Sequence, residues 1–172
     1  MSRRDYEDVW VLSKGRKYRT DFHERTRRDG TKPLYDNPTY RELVEAIRAH
    51  DPESILEAGC GYGRLLEWLE FEFPEVMGCD VSTEMLDLCR LPAFWWDICS
   101  EETPMRTWDV VFCRGVFMYL SIEQMPQALT NLDIVSTKAI VVWEWPEVCE
   151  IMRGFTGGDG KFEYHEIERK DE

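Results

Sequence analysis

The sequence predicts a doubly wound α/β fold with a mostly parallel sheet, and two observations carry that prediction. Short, continuously apolar runs alternate with amphipathic stretches between residues 39 and 145. Strands that are apolar throughout, rather than at every second residue, are those covered on both faces. The glycines and acids gather where these runs end, and right-handed crossovers bring such ends to one edge of the sheet, where ligands bind.

Residues 1–36 read as a charged N-terminal arm carrying Trp10, Tyr18, Phe22 and Tyr35, and residues 37–172 as the folded domain. The arm is expected to act as a lid with those aromatics inward. A first helix is expected near Thr39, where "TYRE" has the spacing of a capping box and Tyr40, Leu43, Val44 and Ile47 recur on one face. Asp51-Pro52 ends it. "SILEAG" (54–59) then reads as the first strand and Arg64–Phe71 as a helix with Leu65, Leu66 and Leu69 on one side.

"VMGCD" (76–80) reads as the second strand and "TEMLDLCR" (83–90) as a helix opened by Ser82. "AFWWDI" (93–98) and "WDVVFC" (108–113) supply the third and fourth strands. A helix over Pro126–Val135, with Pro126 in its first turn, turns Leu129, Leu132 and Val135 inward. "AIVVWEW" (139–145) is the fifth strand, Pro146–Arg153 a short helix, and "KFEYHEIE" (161–168) a last, alternating strand.

Composition narrows the function. The 172 residues suit one domain, and 43% are hydrophobic, enough for a real core. The net charge of −13 disfavours binding to DNA or to anionic membrane. Residues 1–33 run the other way, at +4. The six cysteines never fall at Cys-x-x-Cys spacing and, with three scattered histidines, form no zinc pattern, so no metal is expected. With no apolar leader at the start and no long apolar run, a cytoplasmic location is expected.

The most informative stretch is "EAGCGYG". Gly59, Gly61 and Gly63 occupy every second position directly after the first strand, where glycine permits tight turning and close approach of a ligand to the backbone. Glu57 lies two residues before Gly59, and Asp80 ends the second strand, placed to accept both hydroxyls of a ribose. A dinucleotide is the competing ligand. Its fingerprint needs a glycine where Arg64 stands, and Glu57 would repel a diphosphate. A ligand with an ammonium group and a ribose but no phosphate fits better, and S-adenosylmethionine is such a molecule.

At these residues the chain resembles the class I S-adenosylmethionine-dependent methyltransferases, in particular their small-molecule branch of type 11. "ILEAGCGYGRLLEWL", "GCDVSTEMLDLCR", "FWWDI" and "WDVVFCRGVFMYL" are similar to four successive motifs of that family. The resemblance implies that the methionine part lies over Gly59, Gly61 and Gly63, with Glu57 near its amino group. It implies ribose binding by Asp80, adenine packing by Val81 or Met85, and contact of the adenine amino group with Asp97 and the Ile98 backbone. Arg114 would sit near the methionine or the acceptor.

The resemblance also implies a sheet shortened at the C-terminus. The family adds two strands after the fifth, as an antiparallel hairpin, and too few residues follow Trp145 for both. The last strand is therefore expected to pair antiparallel with the fifth or its neighbour, as an edge charged by Glu163, Glu166, Glu168 and Lys170. The protein is expected to be a monomer or weak homodimer acting on a small-molecule acceptor. Its rivals are a protein or RNA methyltransferase docking through the basic arm, and a cofactor-binding subunit without activity. The DNA amino-methyltransferase signature is absent, since "CRGV" stands in its place. No catalytic base is visible, and the activated methyl of a sulfonium does not require one.

Overall fold

The computed structural model describes residues 38–157 and 160–167, so the expected N-terminal arm lies outside the described residues. Helix α1 spans Pro38–Arg48, β1 Ser54–Ala58, α2 Leu66–Leu69, β2 Glu75–Asp80, α3 Thr83–Leu86 and β3 Ala93–Trp95. β4 spans Trp108–Arg114, α4 Met125–Val135, β5 Ser136–Glu144, α5 Pro146–Thr156 and β6 Phe162–Glu166. A 3-10 turn at Phe117–Tyr119 follows β4. The six strands form one sheet in the order β3-β2-β1-β4-β5-β6. Every neighbouring pair is parallel.

That order places β1 beside β4 at the centre, with the chain winding outward to either side. The crevice beyond their carboxyl ends is where such a sheet binds ligands. Residue parity sorts the core. Ile55, Val110, Phe112, Val141 and Trp143 face α1 and α2, together with Leu43, Ile47, Leu66 and Leu69. Leu56, Val111, Cys113, Ile140 and Val142 face α4 and α5, together with Leu129, Leu132, Val135 and Met152. Glu57 and Arg114 continue the first set at the carboxyl ends of β1 and β4, and Glu144 continues the second at that of β5.

The direction of β6 differs from the expectation. It pairs with β5 in parallel, from Ile140↔Phe162 to Glu144↔Glu166, and not antiparallel. The cause is α5. Its 11 residues rise about 16 Å, the length of a five-residue strand, and carry the chain back along the sheet before β6 begins. An antiparallel partner needs only a tight turn, and here a helix occupies the connection. β6 is an edge strand, as expected.

Several elements are shorter than their patterns suggest. α2 covers only four residues, and Gly63, at φ 80°, keeps the preceding turn out of helical geometry. α3 is also four residues long; Ser82 caps it by accepting the Met85 amide at 3.3 Å. β3 stops at Trp95 because the Asp97 carboxylate accepts the Cys99 amide at 2.9 Å and turns the chain. α1 begins at Pro38, so Thr39 lies inside its first turn rather than ahead of it.

Candidate cofactor site

The site is built at the ends of β1, β2 and β4. Immediately after β1, Gly59, Gly61 and Gly63 all take left-handed backbone angles, with φ of 77°, 55° and 80°. Only glycine adopts these without strain. Two of the three are also closely covered. A Cβ on Gly59 would collide with a Val116 methyl, and one on Gly63 would come within 2.5 Å of the Cys89 sulfur. On Gly61 it would meet only the Met85 methyl, at 3.3 Å. Met85 is thus brought to the glycine turn.

The turn's amides are largely engaged within the protein. Those of Gly59 and Cys60 donate to the Cys79 carbonyl at 2.8 and 2.9 Å, and that of Gly63 to the Cys60 carbonyl at 3.0 Å. The Gly61 amide donates to Asp80 at 2.7 Å. A diphosphate cradle needs those N–H groups pointing at the ligand. Here the turn offers close backbone approach but few donors, which disfavours a dinucleotide.

Glu57 stands at the end of β1, only 4% exposed. Its Oε2 has no hydrogen-bond partner. Burial, reinforced by Cys89 and Asp80 and opposed by Arg114, pushes its carboxyl well above the ordinary range. A buried carboxyl oxygen without a partner is costly unless something polar meets it. An ammonium group would satisfy it.

Asp80 ends β2 at 5% exposure. Besides Gly61, it accepts the Ser82 amide at 2.8 Å. Burial raises its pKa in spite of these bonds. Each carboxylate oxygen keeps a second lone pair, so Asp80 can take ribose hydroxyls while it ties the glycine turn to the cap of α3. Val81 follows it, half-buried, and its carbonyl accepts the Trp95 indole N–H at 3.0 Å.

Asp97 and Ile98 lie in the turn after β3. Asp97 closes that turn through Cys99, and buried Ile98 gives its carbonyl to the Asn131 amide at 2.8 Å. Asn131 also donates to the Ser100 carbonyl at 2.7 Å, so a polar residue on the buried side of α4 fixes the loop. The one signal for it was an asparagine set among Leu129, Leu132 and Val135.

Arg114 is the last residue of β4, its guanidinium 5.9 Å from the centre of the Tyr40 ring. Tyr40, from α1, is buried at 6% exposure. Burial raises its phenol, opposed by Arg64 and Arg114 and reinforced by Glu57 and Tyr62. Five ionisable side chains therefore converge over β1 and β4. Sequence reasoning found Glu57 and Arg114 but read Tyr40 as a packing residue, and nothing in the local pattern marks Tyr62 or Arg64. Met118 is 42% exposed, with its sulfur 3.3 Å from the Trp145 indole nitrogen.

Glu144, at the end of β5, is a further functional candidate that sequence reasoning missed. It is fully buried, and its Oε1 accepts the amides of Val116 and, at 2.6 Å, Phe117. Its Oε2 has no partner. Burial, opposed by the backbone amides it accepts, raises its pKa to about 7.

A parallel sheet with left-handed glycines after β1 and buried acids near the ends of β1 and β2 places a candidate ligand site at this edge of an α/β domain. Comparison with known proteins narrows the class. The methyltransferase domain family model matches residues 55–137. Trans-aconitate 2-methyltransferase of Rhodopseudomonas palustris (strain BisB18) is 34% identical over 87 residues, covering 46% of this chain and 34% of the relative. Among solved structures, CalS10, an amino pentose methyltransferase from Micromonospora echinaspora, superposes with a TM-score of 0.57 at 24% identity, over 73% of this chain and 58% of that one. A TehB-like methyltransferase from Corynebacterium glutamicum gives 0.58 at 21% identity, over 81% and 83%.

Residues 55–137 thus match the methyltransferase domain model, and the described residues share the fold of methyltransferases of solved structure. The chain spans about a third of the length of the curated relative it matches.

Proposed function

We propose that this protein transfers the methyl group of S-adenosylmethionine to an O, N or S nucleophile on a small molecule. The observation that carries the reading is the buried, unpartnered Glu57 Oε2 beside three left-handed glycines whose amides face inward. That arrangement suits a cationic amino acid and a ribose and disfavours a phosphate. The names of the relatives, which act on aconitate and on an amino pentose, support the small-molecule reading.

When bound, the cofactor supplies a methyl already activated by its sulfonium. The protein's own residues then align and desolvate. Glu57 would hold the ammonium group, and Gly59, Gly61 and Gly63 would let the methionine part lie against the backbone. Asp80 would accept the ribose hydroxyls, while Val81 and Met85 would cover the adenine and Asp97 and Ile98 would meet its amino group. Arg114, beside Tyr40, would face the methionine carboxylate or the acceptor. Transfer would rest on this alignment and on the exclusion of water, without a dedicated base.

Among the described residues no helix is long and apolar enough to cross a membrane. We place the enzyme in the cytoplasm, where its six free cysteines would stay reduced, and as a monomer whose charged β6 edge resists pairing. The test is a screen of small acids, amines and sugars with methyl-labelled cofactor. Turnover to S-adenosylhomocysteine with any of them supports the reading. Labelling confined to protein or RNA, and weakened by salt, would favour docking through the basic arm instead. Cofactor binding without turnover in any class would favour a non-catalytic subunit.

A further inference from the structure

We propose that Glu144 is a positioning residue, whose carboxyl at the end of β5 holds the segment after β4 against the glycine turn of the cofactor site. The inference rests on the functional reading above and adds a residue to that site. Three contacts carry it. The carboxyl takes the amides of Val116 and Phe117 on one oxygen. Val116, so held, lies with its methyl where Gly59 has no side chain. Gly115, at φ 66°, makes the bend that brings this segment back over β5, its own amide donating to the Trp143 carbonyl at 2.9 Å.

The chain thus forms a relay from β5 to β1 across β4. Glu144 lies on the opposite face of the sheet from Glu57, so it does not touch the cofactor's expected position. Its influence passes through Val116. The same segment begins one residue after Arg114, and fixing Val116 also fixes where the Arg114 backbone leaves the sheet. With segment 115–119 released, Gly59 loses the side chain packed on it.

The surroundings explain why a carboxyl serves here rather than a neutral group. Cys113 faces it from β4 and Cys149 from α5, the latter's thiol donating to the Glu144 carbonyl at 3.7 Å. Beside it on β6 is Glu166, paired with Arg153 of α5 at 3.1 Å. No cation touches the Glu144 carboxyl among these groups, so ionisation there is opposed by burial and favoured only by the amides it accepts. A group balanced in this way makes the hold on Val116 depend on pH. If opening of the segment wets the carboxyl, its pKa falls toward the ordinary value, and opening becomes easier as pH rises.

The experiment uses the full chain and its Glu144→Ala and Glu144→Gln variants, read by amide hydrogen exchange and by calorimetry with S-adenosylhomocysteine. Glu144→Ala should lower protection at Val116 and Phe117 at least tenfold, leave the β1 amides unchanged, and weaken S-adenosylhomocysteine binding about tenfold. Glu144→Gln keeps an acceptor oxygen and should restore both to within about threefold. In the wild type, protection at those two amides should fall as pH rises from 5 to 8, and in Glu144→Gln it should stay flat. Should the alanine variant not fold, this pH comparison decides alone. Unchanged protection in Glu144→Ala, or the same pH profile in wild type and Glu144→Gln, overturns the hold on the segment. Lost protection with full affinity overturns the positioning role. A wild type that does not bind S-adenosylhomocysteine at all instead overturns the functional reading beneath it, and the exchange data then still report on the contact.

Discussion

Asp80 accepts the amide of Gly61 at 2.7 Å, so the acid expected to meet the ribose also holds the turn expected to meet the methionine. The two halves of the cofactor site are therefore one hydrogen-bonded unit. Replacing Asp80 removes a ligand contact and a structural tie together.

Asp80→Ala should accordingly lose at least tenfold in affinity for S-adenosylhomocysteine, each charge-assisted hydrogen bond being worth about 1.5–3 kcal/mol. Asp80→Asn should fall between the two, because its amide nitrogen cannot accept the Gly61 N–H. Calorimetry on variants shown to be folded by circular dichroism checks the order. Equal affinity in all three would mean that Asp80 serves the fold alone.

Glu57 predicts a proton linkage. Its carboxyl is held well above the ordinary range by burial, and an ammonium partner would bring it down. A pKa that falls on binding means that the ligand displaces a proton, so affinity should strengthen as pH rises toward the free-site pKa and level off above it. Titrations in buffers of different ionisation enthalpy should detect that proton. Glu57→Gln should abolish the release and bind at least tenfold more weakly.

Glu144 sets a stability window of the opposite kind. Its folded pKa of about 7 lies above that of an ordinary glutamate. The folded state therefore holds the proton more tightly, and the associated stability is full at low pH and lost as pH rises through about 7. Thermal melts should show Glu144→Gln gaining on the wild type between pH 5 and 8, with the two closest at the acid end. Parallel curves over that range would contradict the assignment.

Gly59→Ala combines two costs. Its φ of 77° is strained for any other residue by roughly 1–2 kcal/mol, and the added methyl meets Val116. Unfolding in urea should show a loss of about 2–4 kcal/mol. Val116→Ala in the same chain should recover part of it, because space is restored while the strain remains.

How much of this was legible follows from the range of each contact. The strands and their order of appearance were readable, chiefly because β1, β4 and β5 bury runs such as "VVFC" that no surface segment tolerates. Glu57 and Asp80 were readable too, since position at the end of a strand is a local property. Tyr40 was not, because its helical spacing announces packing, and only the fold brings it over Arg114. Glu144 was hidden for the same reason: its partner Val116 lies 28 residues earlier. The direction of β6 was missed because it depends on α5 running on to Thr156, where Gly157 at φ 62° caps it, three residues beyond the expected end. The short span of α2 and the end of β3 depend on the geometry of Gly63 and on the Asp97 turn, which periodicity does not register.

The central claim is that the glycine turn and Glu57 receive a cationic nucleoside amino acid. Its most direct test is calorimetric titration of the full chain with S-adenosylhomocysteine and, separately, with NAD. The account predicts one S-adenosylhomocysteine bound per chain, with release of a proton that Glu57→Gln eliminates, and no binding of NAD. Tighter binding of NAD than of S-adenosylhomocysteine would contradict it.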